Sequence, residues 1–283
     1  MAYKIVKKKV LNPQIFLMEI EAPLIAKKAE PGQFIILRID EYGERVPFTI
    51  ADFDREKGTV TIIVQIVGKT TRDLAKIDEG EYILDFAGPL GMPTPLDGIK
   101  KAAVIGGGLG TAIAYPQAKK LHRLGADVTV ITGFRTKDII ILEEELNKIS
   151  DRLIVTTDDG SNGLKGFVTD RLKELLEAGE RFDEVIVIGP LVMMRAVCNL
   201  TKEYGIKTTV SMNPVMIDGT GMCGGCRVTV GGETKFACVD GPDFDGHLID
   251  WDIAMKRSGM FKEYEAKSCE EGHCRIGRTN KAE

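Results

Sequence analysis

The sequence has no long apolar run. The longest, such as residues 62–67, are short or interrupted by a polar side chain such as Gln65, whereas a membrane-spanning helix needs about 20 predominantly apolar residues. Residues 1–9 lack the apolar core of a signal peptide. Internal repeats and low-complexity stretches are also missing. We therefore expect a cytoplasmic protein without a membrane partner.

A large charge excess is missing too. The 283 residues carry a net charge of −4, which gives no reason to expect nucleic acid as a partner. No pair of side chains stands out as an acid–base dyad, so we name no catalytic residue. The chain has six cysteines, and cysteines in a cytoplasmic protein are more often metal ligands or buried thiols than disulfides.

The pattern of residues 1–97 predicts a small antiparallel barrel. Its β-rich segments alternate in part and are separated by turn signals such as Asn12-Pro13 and Lys57-Gly58. The predicted strands are residues 3–10, 15–22, 33–39, 46–53, 59–67 and 81–88. The domain is expected to end in residues 91–100, which are rich in proline and glycine.

Residues 98–211 alternate between apolar strands and helical segments. This alternation predicts an α/β domain in which helices cover both faces of a parallel sheet. The predicted strands are residues 102–105, 128–131, 153–156, 185–188 and 208–211. The predicted helices are residues 111–124, 142–149, 168–178 and 191–204.

Two further segments follow. Residues 212–246 are rich in glycine and hold three of the cysteines, so we expect a metal to supply part of their stability. Residues 247–283 are expected to form a helix over 248–266 and a polar tail. In that tail, Cys269 and Cys274 flank His273 and form either a second metal site or a pair of unbound thiols. Cys198 is expected to be a buried thiol in a helix.

A glycine-rich turn, residues 106–110, joins the first strand of the α/β domain to a helix. Such a turn lets a pyrophosphate approach the backbone at a helix N-terminus, although the pattern is not a strict G-x-G-x-x-G and a plain turn is the alternative. Arg135 ends the second strand, where an acidic residue is absent; it could meet a 2′-phosphate or be an ordinary loop charge, which leaves NAD versus NADP open. The residues expected at the nucleotide are Gly107, Gly108, Leu109, Gly110, Thr111 and Arg135.

Two short motifs in the barrel suit a phosphate and a flat ring. Residues 45–49 offer an arginine for a phosphate, an aromatic ring for packing and a hydroxyl for a ring nitrogen. Residues 68–71 resemble a phosphate-binding turn but lack the P-loop framework. The alternatives are a plain strand and a hairpin turn. The candidate residues are Arg45, Pro47, Phe48, Thr49, Gly68, Thr70 and Thr71.

The C-terminal segment contains a cluster of candidate metal ligands. Asp218, Cys223 and Cys226 stand at spacings of 0, +5 and +8, and Cys238 follows. This is the register of a plant-type [2Fe–2S] loop with aspartate at its first position, and the intervening glycines let the backbone wrap closely. We expect these four residues to bind a [2Fe–2S] cluster. The alternative is that Asp218 is a turn residue and the cysteines hold zinc.

Together these motifs resemble the ferredoxin–NADP reductase family, whose barrel motif is R-x-Y-S. Phe48 and Thr49 match that motif by type, and Arg45 lies one residue further away. With a C-terminal cluster loop, the order resembles the electron-transfer subunits of class 1B dihydroorotate dehydrogenases, whose cluster has four cysteines. Asp218 makes the loop more similar to small subunits of NADH-dependent reduced ferredoxin:NADP oxidoreductases. The other positions that resemble this group are Asp158, Gly189 and Pro190.

The resemblance implies a flavoprotein with FAD in the barrel, NAD(H) or NADP(H) at the second domain, and a [2Fe–2S] cluster. Hydride would pass between nicotinamide and flavin, and single electrons between flavin and cluster. It further implies a heterodimer with a larger iron–sulfur flavoprotein subunit, in a complex that joins NADH, NADPH and ferredoxin by electron bifurcation. The alternatives are an electron-transfer subunit for dihydroorotate oxidation and a non-catalytic nucleotide-binding module with structural zinc.

Overall fold

A computed structural model of the protein describes residues 2–261. The predictions for Cys269, His273 and Cys274 fall outside these residues. Within residues 2–261, no helix combines the length and the apolar character that crossing a bilayer requires.

Residues 3–90 form eight strands and two short helices. They are β1 (Tyr3–Asn12), β2 (Ile15–Glu21), α1 (Pro23–Lys28), β3 (Phe34–Arg38), β4 (Val46–Thr49), β5 (Asp52–Asp54), β6 (Thr59–Gln65), α2 (Lys69–Leu74), β7 (Tyr82–Ile83) and β8 (Asp85–Leu90). The strands pair antiparallel in two sheets, ordered β5-β6-β2-β1-β7 and β4-β3-β8. The predicted antiparallel barrel is confirmed.

The alternation of side chains along each strand explains the barrel. In β2, Phe16, Met18 and Ile20 are buried, whereas the intervening Glu19 is half-buried and Glu21 is exposed. Successive side chains of a strand point to opposite faces, so one face of β2 joins the apolar core that the two sheets enclose.

Three details of the barrel differ from the predictions. The predicted strand at residues 81–88 is divided between β7 and β8, which pair with β1 and β3 in different sheets. Residues 46–53 form two strands, because the chain changes partners between them: the Ile50 N–H donates to the Gln33 carbonyl, and the Ala51 N–H to the Thr61 carbonyl. Residues 68–71 form the start of α2, with Gly68 as its N-cap, so the hairpin-turn alternative is wrong.

Residues 101–211 form the α/β unit. Its elements are β9 (Lys101–Gly107), α3 (Gly110–Arg123), β10 (Asp127–Phe134), a 3-10 turn (Lys137–Ile139), α4 (Glu143–Asn147), β11 (Arg152–Thr157), α5 (Val168–Glu177), β12 (Glu184–Ile188), α6 (Leu191–Glu203) and β13 (Lys207–Ser211). These strands are parallel, in the order β11-β10-β9-β12-β13. All residues of β12 are buried, as expected for a central parallel strand covered on both faces.

The cysteine-bearing segment packs into the same molecule. Its elements are β14 (Arg227–Val230), β15 (Glu233–Phe236), β16 (Asp243–Asp245) and α7 (Trp251–Ser258). Within the described residues, β16 adds a sixth, antiparallel strand beside β13, which corrects the purely parallel sheet. Val228, Ala237 and Trp251 are buried in one core with Phe34 of the barrel, so this segment supplies core residues of its own. Domain boundaries at residues 97, 211 and 246 stay predictions.

Candidate functional site

A cleft of about 1120 Å³ lies between the barrel and the α/β unit. Residues from both parts line it, including many that the sequence analysis selected. The predicted residues on its wall are Pro47, Thr49, Gly107, Gly108, Leu109, Gly110, Arg135, Asp158, Gly189 and Pro190. Because these residues come from distant positions in the sequence, the fold assembles one site from the separate motifs.

The glycine-rich turn forms the middle of the cleft between β9 and α3. A Cβ at position 110 would collide with the carbonyl oxygen of Ile188, so only glycine fits the close approach to β12. At Gly108 φ is +55° and the space that a side chain would fill is open. No side chain among the described residues caps the N-terminus of α3. The turn therefore suits an anionic group such as a pyrophosphate.

Thr111 lies beneath this turn and does not line the cleft. It is fully buried, and its hydroxyl has no hydrogen-bond partner within the described residues. A Cβ at Gly106 would contact it. The structure places Thr111 as support for the turn.

The barrel side of the cleft is formed by one end of the sheet β4-β3-β8. Thr49 and Pro47 line the cleft, and Phe34 pairs with Thr49 across the sheet. Phe48, between Pro47 and Thr49, instead packs against the barrel core. Alternation along β4 explains this separation. The sequence analysis did not select Phe34, since an aromatic residue inside an apolar strand carries no distinct signal.

The remaining barrel candidates lie outside the residues that line the cleft. Arg45 forms an ion pair with Asp85, with Nη2 and Oδ2 3.1 Å apart, and its charge also helps to lower the pKa of Asp218. The Thr70 hydroxyl donates to Glu44, the neighbour of Arg45. The Thr71 hydroxyl accepts the Gly68 N–H and caps α2. The structure therefore separates Arg45, Gly68, Thr70 and Thr71 from the cleft.

Two of the cysteines lie in direct contact. The Sγ atoms of Cys226 and Cys238 are 3.3 Å apart, and both residues are buried. Burial, reinforced by the interaction with the neighbouring thiol of Cys226, raises the pKa of Cys238 to about 11. A bound metal would reverse this effect, because thiolates coordinate after losing their protons.

The third cysteine, Cys223, is exposed and lies on the loop before them. Its Sγ accepts the Gly225 N–H at 3.4 Å. That hydrogen bond, followed by one from the Asp218 N–H, lowers the pKa of the Cys223 thiol. Backbone N–H groups directed at sulfur favour the thiolate, which is the form that binds metal.

The Asp218 carboxylate is held by its own loop. Its Oδ2 accepts the Thr220 N–H at 2.9 Å, the Thr220 hydroxyl at 2.6 Å and the Met222 N–H at 3.2 Å. The bonds from Thr220 lower the pKa of Asp218 most. Its Oδ1 makes no hydrogen bond within residues 2–261, so one oxygen is fixed while the other is available.

The four predicted ligands are therefore only partly gathered. Within the described residues, no three His, Cys, Asp or Glu side chains are arranged to hold one metal ion. Cys226 and Cys238 are together, while Cys223 and Asp218 lie on the adjoining loop. The donors fit the expected cluster in kind, namely three thiols and an ionised carboxylate.

The loop and the cleft meet at Phe34. This residue lines the cleft, and a Cβ at Gly219, next to Asp218, would lie 3.6 Å from its ring atom Cε2 and 2.9 Å from Cδ1 of Ile36. Gly219 has φ of +79°, a conformation that glycine adopts without strain. The two candidate sites are thus separated by little more than one side chain.

Two segments of the chain match known protein families. Residues 104–199 match the oxidoreductase NAD-binding domain. Residues 213–250 match the iron-sulfur cluster binding domain of dihydroorotate dehydrogenase B. The first match contains the glycine-rich turn, and the second contains all four predicted metal ligands.

Similar proteins span nearly the whole chain. The Thermotoga maritima dihydroorotate dehydrogenase B (NAD(+)) electron transfer subunit homolog is 46% identical over 267 residues, 94% of each protein. The corresponding subunit from Fusobacterium nucleatum is 36% identical over 234 residues, 80% of this chain and 88% of that protein. A chain in the solved structure of the NADH-dependent reduced ferredoxin-NADP oxidoreductase, studied for flavin-based electron bifurcation, is 45% identical. Its TM-score is 0.89, with coverage of 96% of this chain and 98% of that chain.

Proposed function

This chain belongs to the family of dihydroorotate dehydrogenase B electron-transfer subunits and their homologues, and on that premise we propose that it passes electrons between NAD(H), FAD and a [2Fe–2S] cluster. It is an oxidoreductase subunit of a complex that couples NADH, NADPH and ferredoxin by electron bifurcation. The observation that carries the proposal is the contact, through Phe34, between the cleft and the cysteine loop.

The cleft provides both nucleotide sites. Gly107 and Gly108 would hold the pyrophosphate of NAD(H) at the N-terminus of α3, and Pro47 and Thr49, on the opposite wall, would hold the flavin. When bound, FAD supplies the exchange between hydride transfer and single-electron transfer. The chain itself orients the two rings and excludes water, which agrees with the absence of a predicted acid–base dyad.

The loop provides the cluster site. Cys223, Cys226 and Cys238 supply three thiolates, and Oδ1 of Asp218 supplies the fourth ligand. The bonds from Thr220 to Oδ2 orient the carboxylate, as partners in the outer shell of a metal site do. Because Cys223 is exposed, this end of the molecule is where electrons leave for a partner.

The partner is a larger iron–sulfur flavoprotein subunit that forms a heterodimer with this chain. The bifurcating complex is favoured because its solved chain is 45% identical over 96% of this sequence, whereas the Fusobacterium nucleatum chain named as a dihydroorotate dehydrogenase subunit is 36% identical over 80%. The 46% identical Thermotoga maritima protein is named only as a homolog of that subunit. Dihydroorotate oxidation is the second candidate, since the cluster segment matches the domain of that enzyme. The two differ in partner: purification from the native cells should yield an iron–sulfur flavoprotein, whereas a dihydroorotate-binding subunit would establish the alternative.

The cofactor content tests the proposal directly. The anaerobically purified protein should be brown, contain FAD, and hold about two irons and two sulfides per chain. NADH should bleach its flavin absorption. Cys226→Ser should lose iron, while Cys198→Ser, which changes a buried thiol distant in sequence from the loop, should keep it. A colourless protein with one zinc would refute the proposal and establish the nucleotide-binding module instead.

A further inference from the structure

Two opposite charges lie unpaired at neighbouring strand ends on the wall of the cleft. Arg135 follows β10 and Asp158 follows β11, and both side chains are exposed. The strands are parallel neighbours, and the Asp158 N–H donates to the Phe134 carbonyl at 2.9 Å. Yet within residues 2–261 neither side chain forms an ion pair or a hydrogen bond, with the other or with any third group. Both are therefore available to a bound molecule.

The sheet order identifies the end of the cleft that Arg135 and Asp158 occupy. The barrel wall at Phe34 lies beside Gly91 and Pro242, and Pro242 leads into β16 at one edge of the sheet. Strands β10 and β11 lie on the other side of β9, towards the opposite edge. The glycine-rich turn after β9 lies between these ends. The cleft thus runs from the barrel wall at Phe34, past the turn, to Arg135 and Asp158.

This layout orients a dinucleotide. In the proposed function, which this inference presupposes, the nicotinamide must reach the flavin at the barrel end. With the pyrophosphate at the turn, the adenosine half extends to the ends of β10 and β11. Arg135 and Asp158 therefore face the adenosine ribose, the only part in which NAD and NADP differ.

We propose that Asp158 makes the cleft selective for NAD(H). In this proposal the carboxylate of Asp158 offsets the affinity of Arg135 for a 2′-phosphate. A carboxylate accepts hydrogen bonds from ribose hydroxyls and repels a 2′-phosphate. An arginine alone at this position would instead favour the phosphate. With both residues present, their charges cancel at the ribose, and a neutral hydroxyl binds better than a doubly charged phosphate.

The adjacent Asp159 provides a matched control. It has the same charge and is also exposed, but its Oδ1 accepts the Ser161 N–H at 2.9 Å and the Ser161 hydroxyl at 2.6 Å. Asp159 does not line the cleft. If only the overall charge of the loop mattered, Asp158→Asn and Asp159→Asn would act alike.

The experiment measures binding and does not need turnover. Dissociation constants of NAD+, NADP+, ADP and 2′,5′-ADP are determined by calorimetry for the FAD-loaded protein and its variants. Wild type should prefer NAD+ over NADP+ and ADP over 2′,5′-ADP. Asp158→Asn should tighten binding of both 2′-phosphorylated ligands about tenfold, the order expected for removing one charge near a phosphate at a protein surface. Adding Arg135→Gln to Asp158→Asn should abolish that gain, and Asp159→Asn should change nothing.

The results separate this inference from the proposed function. If the protein binds NAD+ but Asp158→Asn leaves the preference unchanged, or Asp159→Asn shifts it equally, Asp158 is not the selective residue. A wild-type protein that binds NADP+ as tightly as NAD+ overturns the inference in the same way. If the FAD-loaded protein binds none of the four ligands, the proposed function itself fails, and the inference with it.

Discussion

Asp243 is an acid enclosed where the barrel, the connecting segment, α3 and the sheet edge meet. Its Oδ2 accepts the Thr94 hydroxyl at 2.5 Å, while its Oδ1 has no accessible surface and no hydrogen-bond partner within the described residues. Burial raises the pKa of Asp243 to about 6, against the opposing effect of the bond from Thr94. The ionised carboxylate is therefore unfavourable at this junction.

The pH dependence of stability follows from the sign of this shift. The ordinary pKa of 3.8 applies to the unfolded chain, so the folded state binds the proton more tightly. The contribution of Asp243 to stability is complete below the unfolded pKa and is lost as the pH rises through about 6. Two pKa units at about 1.4 kcal/mol each put the full cost at neutral pH at roughly 3 kcal/mol.

Asp243→Asn removes this titration while keeping the shape of the side chain and an acceptor for Thr94. The difference in free energy of unfolding, variant minus wild type, should rise by about 2 kcal/mol between about pH 4.5 and about pH 8. Urea titrations followed by circular dichroism, with saturating FAD in every sample, measure that difference. The contributions of titratable groups that both proteins share cancel in this difference.

A second aspartate should behave in the opposite way. Asp183 accepts the N–H groups of Lys100 and Lys101, and these bonds lower its pKa. Its contribution is present at neutral pH and is lost on acidification, so Asp183→Asn should be most destabilised at neutral pH. The account of Asp243 would be contradicted if the difference in free energy of unfolding for Asp243→Asn did not change with pH while Asp183→Asn followed its expected trend.

Three further variants test the cleft and the loop. Gly110→Ala should weaken NAD+ binding at least tenfold while FAD stays bound, because the added Cβ would collide with the Ile188 carbonyl and displace the turn. Calorimetry measures the affinity for NAD+, and the flavin spectrum shows whether FAD is still bound. Asp218→Cys should keep about two irons per chain but change the visible spectrum and the reduction potential, and Asp218→Ala should lose iron. Unchanged spectrum and potential in Asp218→Cys would exclude the carboxylate as a ligand.

Much of the fold follows from patterns that are local in the sequence. The parallel strands are continuous apolar runs because helices cover both faces, as in β12. The turn at Gly110 is recognisable because close backbone approach requires glycine. The end of β10 could also be located, which placed Arg135 at the predicted nucleotide site, whereas Asp158 was selected only through the resemblance to a family.

The features that sequence patterns missed depend on contacts between distant segments. Residues 46–53 read as one strand because they are rich in β-forming residues and no turn signal divides them, although Ile50 and Ala51 hydrogen-bond to different strands. The three residues of β16 are too few to establish a period, and they form a strand only because β13 offers a free edge. Arg45, chosen for its neighbours in the sequence, turns to Asp85 on another strand.

Strand β3 links the cleft to the cysteine loop. Ile35 and Leu37 are buried in the barrel core, whereas Phe34 and Ile36 point to the opposite face and pack against the core that contains Cys226 and Cys238. One strand thus serves as barrel wall on one face and as support for the cysteine loop on the other. A slip of one residue would exchange the two faces, so the pairing of β3 with β4 and β8 fixes the distance between the nucleotide cleft and the cysteines. The register of the barrel therefore contributes to the separation that electrons must cross, beside the loop that carries the ligands.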